Sequence, residues 1–364
     1  MDKTVVFRAD ASVEMGLGHL TRCLTLANAL AGSAVRSFFL MRGHAAGLVQ
    51  MVERAGHAVR LLPDPAEPAP EPGGNAVPHA HWLPTTWQKD AEQTCSALAE
   101  IGRVEWLIVD HYALDIRWER VCRRDGLRIL VIDDLADRDH DCEVLLDQNL
   151  VFQMEVRYRD RVPAACVQLL GPGYAMLRPE FAEQRALLTP RTGKIGRILI
   201  CFGGSDPTNE TAKALTAIAI LATSQLAVDV VIGPSNPNTG SVHALCRQMP
   251  NVALHPSSSN IAELMRRADL SIGAGGVMNW ERCCLGLPVL ALDIAKNQVP
   301  SLTRLAQAGA LVHLGSGAIV SADDIAAAVK ALAADRARAR RLGEVAATLV
   351  DGDGAERVCR AIFS

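Results

Sequence analysis

The sequence lacks three features that would each point to a particular class of protein. Its formal net charge is only −3 over 364 residues, so the overall charge attracts neither nucleic acid nor an anionic membrane. No apolar run approaches the roughly 18–20 residues of a membrane span. The ten cysteines show no Cys-x-x-Cys spacing, which argues against a disulfide framework or a zinc site. An anionic ligand must therefore be held by local features of the fold.

The N-terminal residues also lack the pattern that would predict a signal peptide. Met1-Asp2-Lys3-Thr4 leads directly into a strand pattern, without a charged region followed by an apolar one. Cys23 and Cys201 lie within apolar patterns typical of buried elements, which indicates reduced thiols. We therefore expect a cytoplasmic monomer that acts on a small molecule, without membrane insertion or nucleic-acid binding.

Short apolar runs alternate with longer amphipathic segments along most of the chain. This alternation predicts strand–helix–strand units, and the nearly unbroken aliphatic runs are typical of parallel sheets covered on both faces. The strands predicted in the first half are Thr4–Phe7, Ser37–Met41, Ala58–Leu62, Trp106–Val109, Arg128–Ile132 and Val144–Asp147. Those predicted in the second half are Arg197–Phe202, Ala227–Ile232, Val252–His255, Leu270–Gly273, Pro288–Ala291 and Ala310–Val312.

The two series of strands predict two doubly wound, Rossmann-like α/β domains in tandem. We expect the first domain over residues 1–187 and the second over residues 197–345. The intervening stretch Leu188–Gly196 has little apolar content and is predicted to be the linker. Ligands of open α/β sheets bind at the carboxyl ends of the strands, so two such edges that face each other would form a cleft.

Gly16-Leu17-Gly18-His19 is the most informative short motif of the first half. Both glycines allow a tight turn and a close approach of a ligand to the backbone. The helical pattern Leu20–Leu30 begins just behind them, and a helix start offers unpaired N–H groups that suit a phosphate. His19 stands at this position, where an imidazole can accept a proton near neutral pH. The spacing alone fits a purely structural turn equally well, since Thr21 replaces the third small residue of the dinucleotide fingerprint.

A second glycine-rich turn, Gly273-Ala274-Gly275-Gly276, ends a predicted strand and precedes a short helix that carries Glu281. The turn can present backbone amides to a diphosphate, and Glu281 can accept hydrogen bonds from ribose hydroxyls. In the preceding loop the backbone around Ile261 is placed to read the edge of a base. Alternatively, Glu281 is a solvated helix residue and Ser259 or Asn260 is a helix cap. Together, the loop and the turn favour nucleotide binding.

Further polar residues follow other predicted strands. Lys296-Asn297-Gln298 suits contacts with phosphate or sugar, although an asparagine there is equally a routine helix cap. Asp110-His111-Tyr112 ends a strand of the first half. Asp10 and Arg22 flank the first glycine turn, and Asp10 is placed to orient a nearby cation or His19.

Two candidate metal sites are not supported by their spacing. Asp133 and Asp134 are adjacent, and adjacent side chains of an extended chain point in opposite directions. His79 and His81 lie in the proline-rich stretch Pro63–Pro84 without a carboxylate or cysteine at ligand spacing. We predict that this stretch is an extended surface loop and that the protein needs no metal or other cofactor.

Taken in order, the motifs resemble the PseG family, the UDP-2,4-diacetamido-2,4,6-trideoxy-β-L-altropyranose hydrolases of pseudaminic acid synthesis. The resemblance extends from Val5 to about Val312. The segments that carry it are Phe7–Ser12, Gly16–His19, Arg22-Cys23, Asp110–Tyr112, Asp133-Asp134, Asp147–Asn149, Phe202–Asp206, Gly273–Gly276, Trp280–Pro288 and Asn297-Gln298.

This resemblance implies the GT-B architecture, in which two Rossmann-like domains face a cleft. It implies that residues 346–364 form a C-terminal helix that crosses back to the first domain. It also implies that the second domain holds UDP through Ile261, Ala274-Gly275-Gly276 and Glu281, and that His19 is the general base. The predicted substrate-binding residues are Asp10, Gly16, Gly18, Arg22, Tyr112, Asn149, Asn297 and Gln298.

The activity implied is hydrolysis of a UDP-linked 2,4-diacetamido-2,4,6-trideoxyhexose, with C–O cleavage and inversion at the anomeric carbon. A GT-B glycosyltransferase would use the same base and UDP-sugar site, so the sequence separates the two poorly. A non-catalytic nucleotide-sugar binding module would have no need of His19 as a base. A dinucleotide dehydrogenase would need the missing third glycine and an acidic partner for the ribose.

Overall fold

A computed structural model describes residues 3–12, 15–42, 46–65, 77–222, 225–233, 235–256 and 260–363 of the chain. The chain divides into two compact units. The first unit comprises Met1–Asn149, Gln153–Met176 and Ala355–Ser364. The second comprises Leu150–Phe152 and Leu177–Gly354.

The first unit is built on a parallel sheet. Its described strands are β1 (Lys3–Ala9), β2 (Val35–Arg42), β3 (Ala58–Leu62), β4 (Trp106–Asp110), β5 (Arg128–Ile132), β6 (Val144–Asp147) and β7 (Val167–Leu170). Its described helices are α1 (Gly18–Ala31), α2 (Ala46–Arg54), α3 (Trp87–Ile101), α4 (Ile116–Cys122) and α13 (Gly354–Phe363).

The second unit repeats this construction. Its described strands are β8 (Arg197–Cys201), β9 (Ala227–Ile232), β10 (Val252–Pro256), β11 (Leu270–Ala274), β12 (Val289–Asp293) and β13 (Val312–Ser316). Its described helices are α5 (Pro179–Ala186), α6 (Glu210–Ile220), α7 (Thr239–Arg247), α8 (Ile261–Arg267), α9 (Met278–Cys284), α10 (Val299–Gln307), α11 (Ala322–Ala334) and α12 (Arg336–Leu349).

The order of the strands places a topological switch point in each sheet. The first sheet runs β3-β2-β1-β4-β5-β6-β7 and the second β10-β9-β8-β11-β12-β13, with parallel pairing between neighbours. The chain therefore reverses its direction of winding between β1 and β4, and again between β8 and β11. Ligands of doubly wound sheets bind in the crevice at such a point, outside the carboxyl ends of the strands. Both glycine-rich turns lie there.

The aliphatic strands form where the sequence predicts them because both faces of the first sheet are covered. Val5 and Phe7 of β1 pack into one apolar cluster, whereas Val6 packs into another on the opposite face. All three side chains are fully buried. Successive residues of a strand point to opposite faces, so an unbroken apolar run is stable only when both faces are shielded from water.

Two strands depart from the predicted pattern at the edges of the sheets. β7 is absent from the predicted strands, since its first residue, Val167, is 53% exposed and its apolar run is short. The last strand is β13 at Val312–Ser316, not Ala310–Val312. Ala310 and Leu311 are buried but precede the strand, so their apolar character placed the predicted strand too early in the sequence.

The boundary between the units differs from the boundary predicted at residues 187–197. In this part of the chain the first unit ends at Met176, and α5 belongs to the second unit. Arg185 of α5 donates from Nη1 to Val350 O (3.0 Å) and from Nη2 to Ala347 O (3.0 Å), which ties α5 to the second unit. The local composition of the sequence does not reveal such long-range hydrogen bonds, so it could not indicate the position of this boundary.

The final helix contributes to the core of the first unit. Val358 and Ile362 of α13 lie one helical turn apart, and both are fully buried in the cluster that contains Val5 and Phe7. In the described ranges of the chain, no helix is long and apolar enough to span a bilayer.

Candidate functional site

Polar side chains collect at the carboxyl ends of β1, β4, β5 and β6 in the first unit. Asp110 is the last residue of β4, Asp134 lies just after β5 and Asn149 lies just after β6. α1 begins behind the turn that follows β1, and it carries His19 and Arg22. Because neighbouring parallel strands end at the same edge, residues far apart in the sequence meet here.

His19 is a buried imidazole, 5% exposed, whose Nδ1 lies 2.5 Å from Asp110 Oδ1. Burial raises the pKa of the Asp110 carboxyl, but the Arg22 charge and the hydrogen bonds from Arg22 and His19 act against burial, and this pKa lies well below its usual range. The carboxylate is therefore ionised, so Nδ1 donates to it and Nε2 of the neutral ring is the acceptor. This tautomer is the one that a general base acting through Nε2 requires.

Arg22 fixes the Asp110 carboxylate in place. Its Nε donates to Asp110 Oδ2 over 2.5 Å, and its Nη2 donates to Asp110 Oδ1 over 2.7 Å. Its Nη1 donates to Asp134 Oδ2 over 2.5 Å. Burial lowers the pKa of Arg22, yet the two carboxylates raise it well above the ordinary value. The guanidinium is thus a permanent cation that orients Asp110, and through it His19.

Asp134 joins the remaining predicted residues of this edge. Its Oδ2 accepts a hydrogen bond from Tyr112 OH over 2.6 Å, and its Oδ1 accepts one from Asn149 Nδ2 over 2.9 Å. The Tyr112 ring also meets the His19 ring edge-on, with 4.5 Å between centroids. The structure therefore brings His19, Arg22, Tyr112 and Asn149 into one hydrogen-bonded group.

Asp10 belongs to a neighbouring network. Its Oδ1 lies 2.7 Å from Arg8 Nη1 and accepts a hydrogen bond from Arg42 N over 2.8 Å. Burial raises the pKa of the Asp10 carboxyl, but Arg8 and His111 together outweigh burial and keep this pKa well below its usual range. Asp10 therefore orients the Arg8 cation, and the partner of His19 is Asp110.

The first glycine turn has the backbone conformation that its sequence suggests. Gly16 has a φ of +74°, and its N–H donates to Ser12 O over 2.9 Å. Gly18 is the first residue of α1. A positive φ is the reason for glycine at position 16, because a Cβ there would meet no heavy atom within 4 Å.

The glycine-rich turn of the second unit is held from below by Arg282. This fully buried guanidinium donates from Nη1 to Ala274 O over 2.7 Å and from Nη2 to Cys201 O over 2.8 Å, which links the ends of β11 and β8. Gly276 has a φ of +95°, and a Cβ there would meet no heavy atom within 4 Å. The turn is therefore held from beneath by Arg282 and is open at Gly276, as close approach of a ligand to its backbone requires.

Glu281 of α9 has a largely buried carboxylate that faces an arginine. Its Oε1 lies 3.7 Å from Arg178 Nη2, and its side chain is 13% exposed. Burial raises the pKa of the Glu281 carboxyl, and Arg178 and Arg282 counteract this shift only in part. Such a carboxylate gains stability from added hydrogen-bond donors, and ribose hydroxyls are donors of this kind.

The other residues predicted to contact the nucleotide or the sugar lie after β10 and β12. Asn297 is exposed within the turn Lys296–Gln298, and Gln298 Oε1 accepts a hydrogen bond from Ile294 N over 3.1 Å. Ile261 begins α8 with its side chain buried. Ser259, the alternative helix cap, lies outside the described residues, as do residues 66–76 of the predicted proline-rich loop.

The described residues contain no group of three or more His, Cys, Asp or Glu that could hold a metal ion. The adjacent carboxylates of Asp133 and Asp134 face different partners. Asp133 Oδ1 lies 2.9 Å from Arg138 Nη1, and Asp133 Oδ2 lies 3.9 Å from His140 Nε2. Asp134 instead faces Arg22.

Several residues of these networks, among them Asp110, Asp134 and Arg178, are absent from the predicted site residues. Asp110 and Asp134 end or follow strands, so their position at a carboxyl edge was a usable signal. Arg178 precedes α5 in a stretch predicted to belong to the first domain, and nothing in its local sequence points to Glu281.

The chain is similar to known proteins over most of its length. A family model described as a protein of unknown function, DUF354, matches residues 209–301. The UDP-2,4-diacetamido-2,4,6-trideoxy-beta-L-altropyranose hydrolase of Campylobacter jejuni is 26% identical over 312 residues, which cover 84% of this chain and 97% of the hydrolase. The spore coat polysaccharide biosynthesis protein SpsG of Bacillus subtilis is 29% identical over 189 residues, which cover 52% of this chain and 56% of SpsG.

Solved structures share the whole architecture at low sequence identity. MurG of Acinetobacter baumannii matches with a TM-score of 0.66 and 14% identity, covering 99% of both chains. UGT71G1 of Medicago truncatula complexed with UDP-glucose matches with a TM-score of 0.65 and 11% identity, covering 100% of this chain and 99% of that one. The chain is thus a GT-B protein with two Rossmann-like domains, which confirms the predicted fold class. Its sequence similarity to the Campylobacter jejuni hydrolase spans most of both chains.

Proposed function

We propose that this protein hydrolyses a UDP-linked 2,4-diacetamido-2,4,6-trideoxyhexose to the free sugar and UDP. The observation that carries the proposal is the contact between His19 Nδ1 and Asp110, because it leaves Nε2 as a proton acceptor at the switch point of the first sheet. The similarity to the Campylobacter jejuni hydrolase supports the substrate class. By the same resemblance we propose that the reaction serves pseudaminic acid biosynthesis.

In the proposed reaction a water molecule attacks the anomeric carbon with inversion. His19 Nε2 takes one proton of the water while the new C–O bond forms. The bond between the anomeric carbon and the diphosphate oxygen breaks, and its electron pair leaves with UDP. Asp110 stabilises the imidazolium that results, since its ionised carboxylate is fully buried 2.5 Å from Nδ1. A positioned base of this kind contributes roughly 10²–10⁴-fold to the rate.

The second unit is proposed to hold UDP. The backbone of Ala274-Gly275-Gly276 would bind the diphosphate, Glu281 would accept hydrogen bonds from the ribose, and the backbone at Ile261 would read the base. The open face of the turn at Gly276 and the buried, raised-pKa carboxylate of Glu281 support these roles. Asn297 and Gln298 are proposed to contact the diphosphate or the sugar.

The first unit is proposed to bind the sugar. Asn149 is half-buried at the carboxyl end of β6 and donates to Asp134, which supports its direct contact with the substrate. Tyr112 is buried, donates to the same carboxylate and meets the His19 ring edge-on, so we propose that it supports the sugar site from beneath. The turn formed by Gly16 and Gly18 would let the backbone approach the substrate. Arg22 and Asp10, by contrast, are held by buried carboxylates or cations, so we propose that they act by positioning their neighbours.

The proposed function predicts release of free sugar from the UDP-sugar without any acceptor. In ¹⁸O-labelled water the UDP product should contain no label, because the oxygen between the anomeric carbon and the phosphorus stays with UDP. Mass spectrometry of UDP measures this directly. Labelled UDP would mean cleavage at phosphorus and would overturn the mechanism. Turnover that appears only after an acceptor alcohol is added would identify the glycosyltransferase alternative.

Replacing Glu281 by glutamine is expected to weaken UDP binding about tenfold, because hydrogen bonds to a charged group are worth roughly 1.5–3 kcal/mol and the neutral amide keeps part of them. The ribose is bound equally in the ground state and the transition state, so KM should rise while kcat stays near its original value. Titration calorimetry with UDP and steady-state kinetics measure the two effects.

Glu344→Gln is the matched control for this prediction. Glu344 lies on α12 of the same unit, is 62% exposed and pairs only with Arg340 at 3.3 Å among the described residues. It should bind UDP as the original protein does. Equal UDP affinity of the Glu281 variant and this control would remove Glu281 from the proposed ribose site.

A further inference from the structure

Three aromatic side chains stand together beside His19, and we refer to His79, Trp82 and Tyr112 as the aromatic wall. The Trp82 ring stacks on the Tyr112 ring, with 5.5 Å between centroids and an angle of 23° between planes. The His79 centroid lies 4.5 Å from that of Trp82 and 5.5 Å from that of Tyr112. The His19 ring meets Tyr112 edge-on at 4.5 Å and Trp82 edge-on at 6.1 Å.

Two members of the wall come from a segment that is distant in sequence from His19 and Tyr112. His79 and Trp82 lie between β3 and α3, in and beside the short 3-10 turn Ala80–Trp82. This turn is closed by hydrogen bonds from Trp82 N to His79 O and from Leu83 N to Ala80 O. Leu83 is 3% exposed and anchors the turn in the apolar core of the first unit. Trp82 is therefore held in position by the fold.

The members of the wall differ in what a ligand can reach. Tyr112 is only 5% exposed and donates its hydroxyl to Asp134, so it forms the inner layer. Trp82 and His79 are half-buried and form the outer layer. His79 Nδ1 is shielded from solvent and has no hydrogen-bond partner among the described residues. Burial lowers the pKa of His79, so its neutral ring can donate or accept a hydrogen bond at pH 7.

We infer that Trp82 and His79 bind the sugar of the substrate and select a deoxygenated, N-acetylated hexose; this inference rests on the proposed function. A 6-methyl group and acetamido methyls are apolar and pack well on the face of an indole, which a hydroxyl-rich sugar does less well. An acetamido group also carries a donor and an acceptor, and the half-buried neutral ring of His79, which has one of each, can pair with it. The wall places both contacts beside the proposed base.

The test measures what the sugar adds to binding. In the background of His19→Asn, which is expected to slow turnover by about 10²–10⁴-fold, calorimetry yields Kd for UDP alone and for the UDP-linked diacetamido-trideoxyhexose. The Kd for UDP divided by the Kd for the UDP-sugar gives the factor by which the sugar strengthens binding. Trp82→Ala should lower this ratio about tenfold, and His79→Ala should lower it about fivefold, with Kd for UDP unchanged in both. Trp82→Phe should keep most of the ratio, because it retains an aromatic face.

Trp87→Ala is the matched control. Trp87 is another half-buried tryptophan of the first unit, and its ring contacts the Arg117 guanidinium at 5.2 Å. It should leave the ratio unchanged. The inference is overturned if Trp82→Ala leaves the ratio within twofold of the parent, or if the UDP-sugar binds the parent no more tightly than UDP does. If the His19→Asn protein binds the sugar through Trp82 but the unchanged protein releases no free sugar, the proposed function is overturned, whereas the role of the aromatic wall in sugar binding stands.

Discussion

Replacing His19 by asparagine is expected to lower kcat for UDP-sugar hydrolysis by about 10²–10⁴-fold, the range that a positioned general base contributes. Asparagine can still accept a hydrogen bond but cannot take a proton from water at neutral pH. Binding of UDP should not change, because the residues proposed to hold it belong to the second unit. Stopped assays of UDP release measure kcat, and calorimetry measures UDP affinity in the same preparation.

His57→Asn is the control for the general cost of such a replacement. His57 is a buried histidine of the same unit, with its Nε2 2.7 Å from Asn28 Oδ1. Its variant should keep kcat near the original value even if some stability is lost. A His19→Asn protein that binds UDP normally and retains full activity would show that another group removes the proton.

Replacing Asp110 by asparagine is expected to cost about 3–5 kcal/mol of the free energy of unfolding, the range for breaking a buried ion pair from one side. The amide would leave Arg22 without one of its two carboxylates and would present a donor or a neutral acceptor to His19 Nδ1. Because the pKa of Asp110 lies well below its usual range, its stabilising charge is complete at neutral pH and is lost only in strong acid. Urea unfolding at pH 7 therefore captures the whole effect.

The same variant should lower kcat in the fraction that remains folded, since His19 would no longer be held in the tautomer with Nε2 as acceptor. Asp139→Asn is the matched control, because Asp139 is 58% exposed and its pairing with Arg161 at 3.2 Å is a surface contact. It should change the free energy of unfolding by less than about 1 kcal/mol. Equal stabilities of the two variants would show that the Asp110–Arg22 contact contributes little.

The fold class was predictable because its signals are local. Unbroken aliphatic runs such as Val5–Phe7 and Ile198–Ile200 are fully buried strands, and the longer segments between runs are helices. Parallel strands joined by helices allow few topologies, so recognising the alternation nearly determines the class. The sequence did not predict β7, because β7 is a short edge strand whose first residue, Val167, is 53% exposed. At an edge, neither burial nor length marks a strand clearly.

The candidate sites were predictable only in part. His19 and Glu281 lie within a few residues of glycine-rich turns that end strands, and this local context marks both. The sequence does not indicate which residue each of them pairs with. Asp110 is separated from His19 by 91 positions, and Asp10, which is close to His19 in the sequence, binds Arg8. Trp82 comes from a segment whose sequence suggested only a surface loop.

The sequence by itself determined two α/β repeats, each with a glycine turn at a strand end, and it placed His19 and Glu281 at those turns. The periodicity of apolar residues and the residue preferences of turns extend over only a few positions, so both can be recognised directly in the sequence. Only the tertiary structure decided that Asp110 holds His19, that Arg178 faces Glu281 and that Trp82 covers Tyr112. Parallel pairing of β1 with β4 brings the ends of these two strands together, and the number of residues between them in the sequence does not indicate that they are close in space.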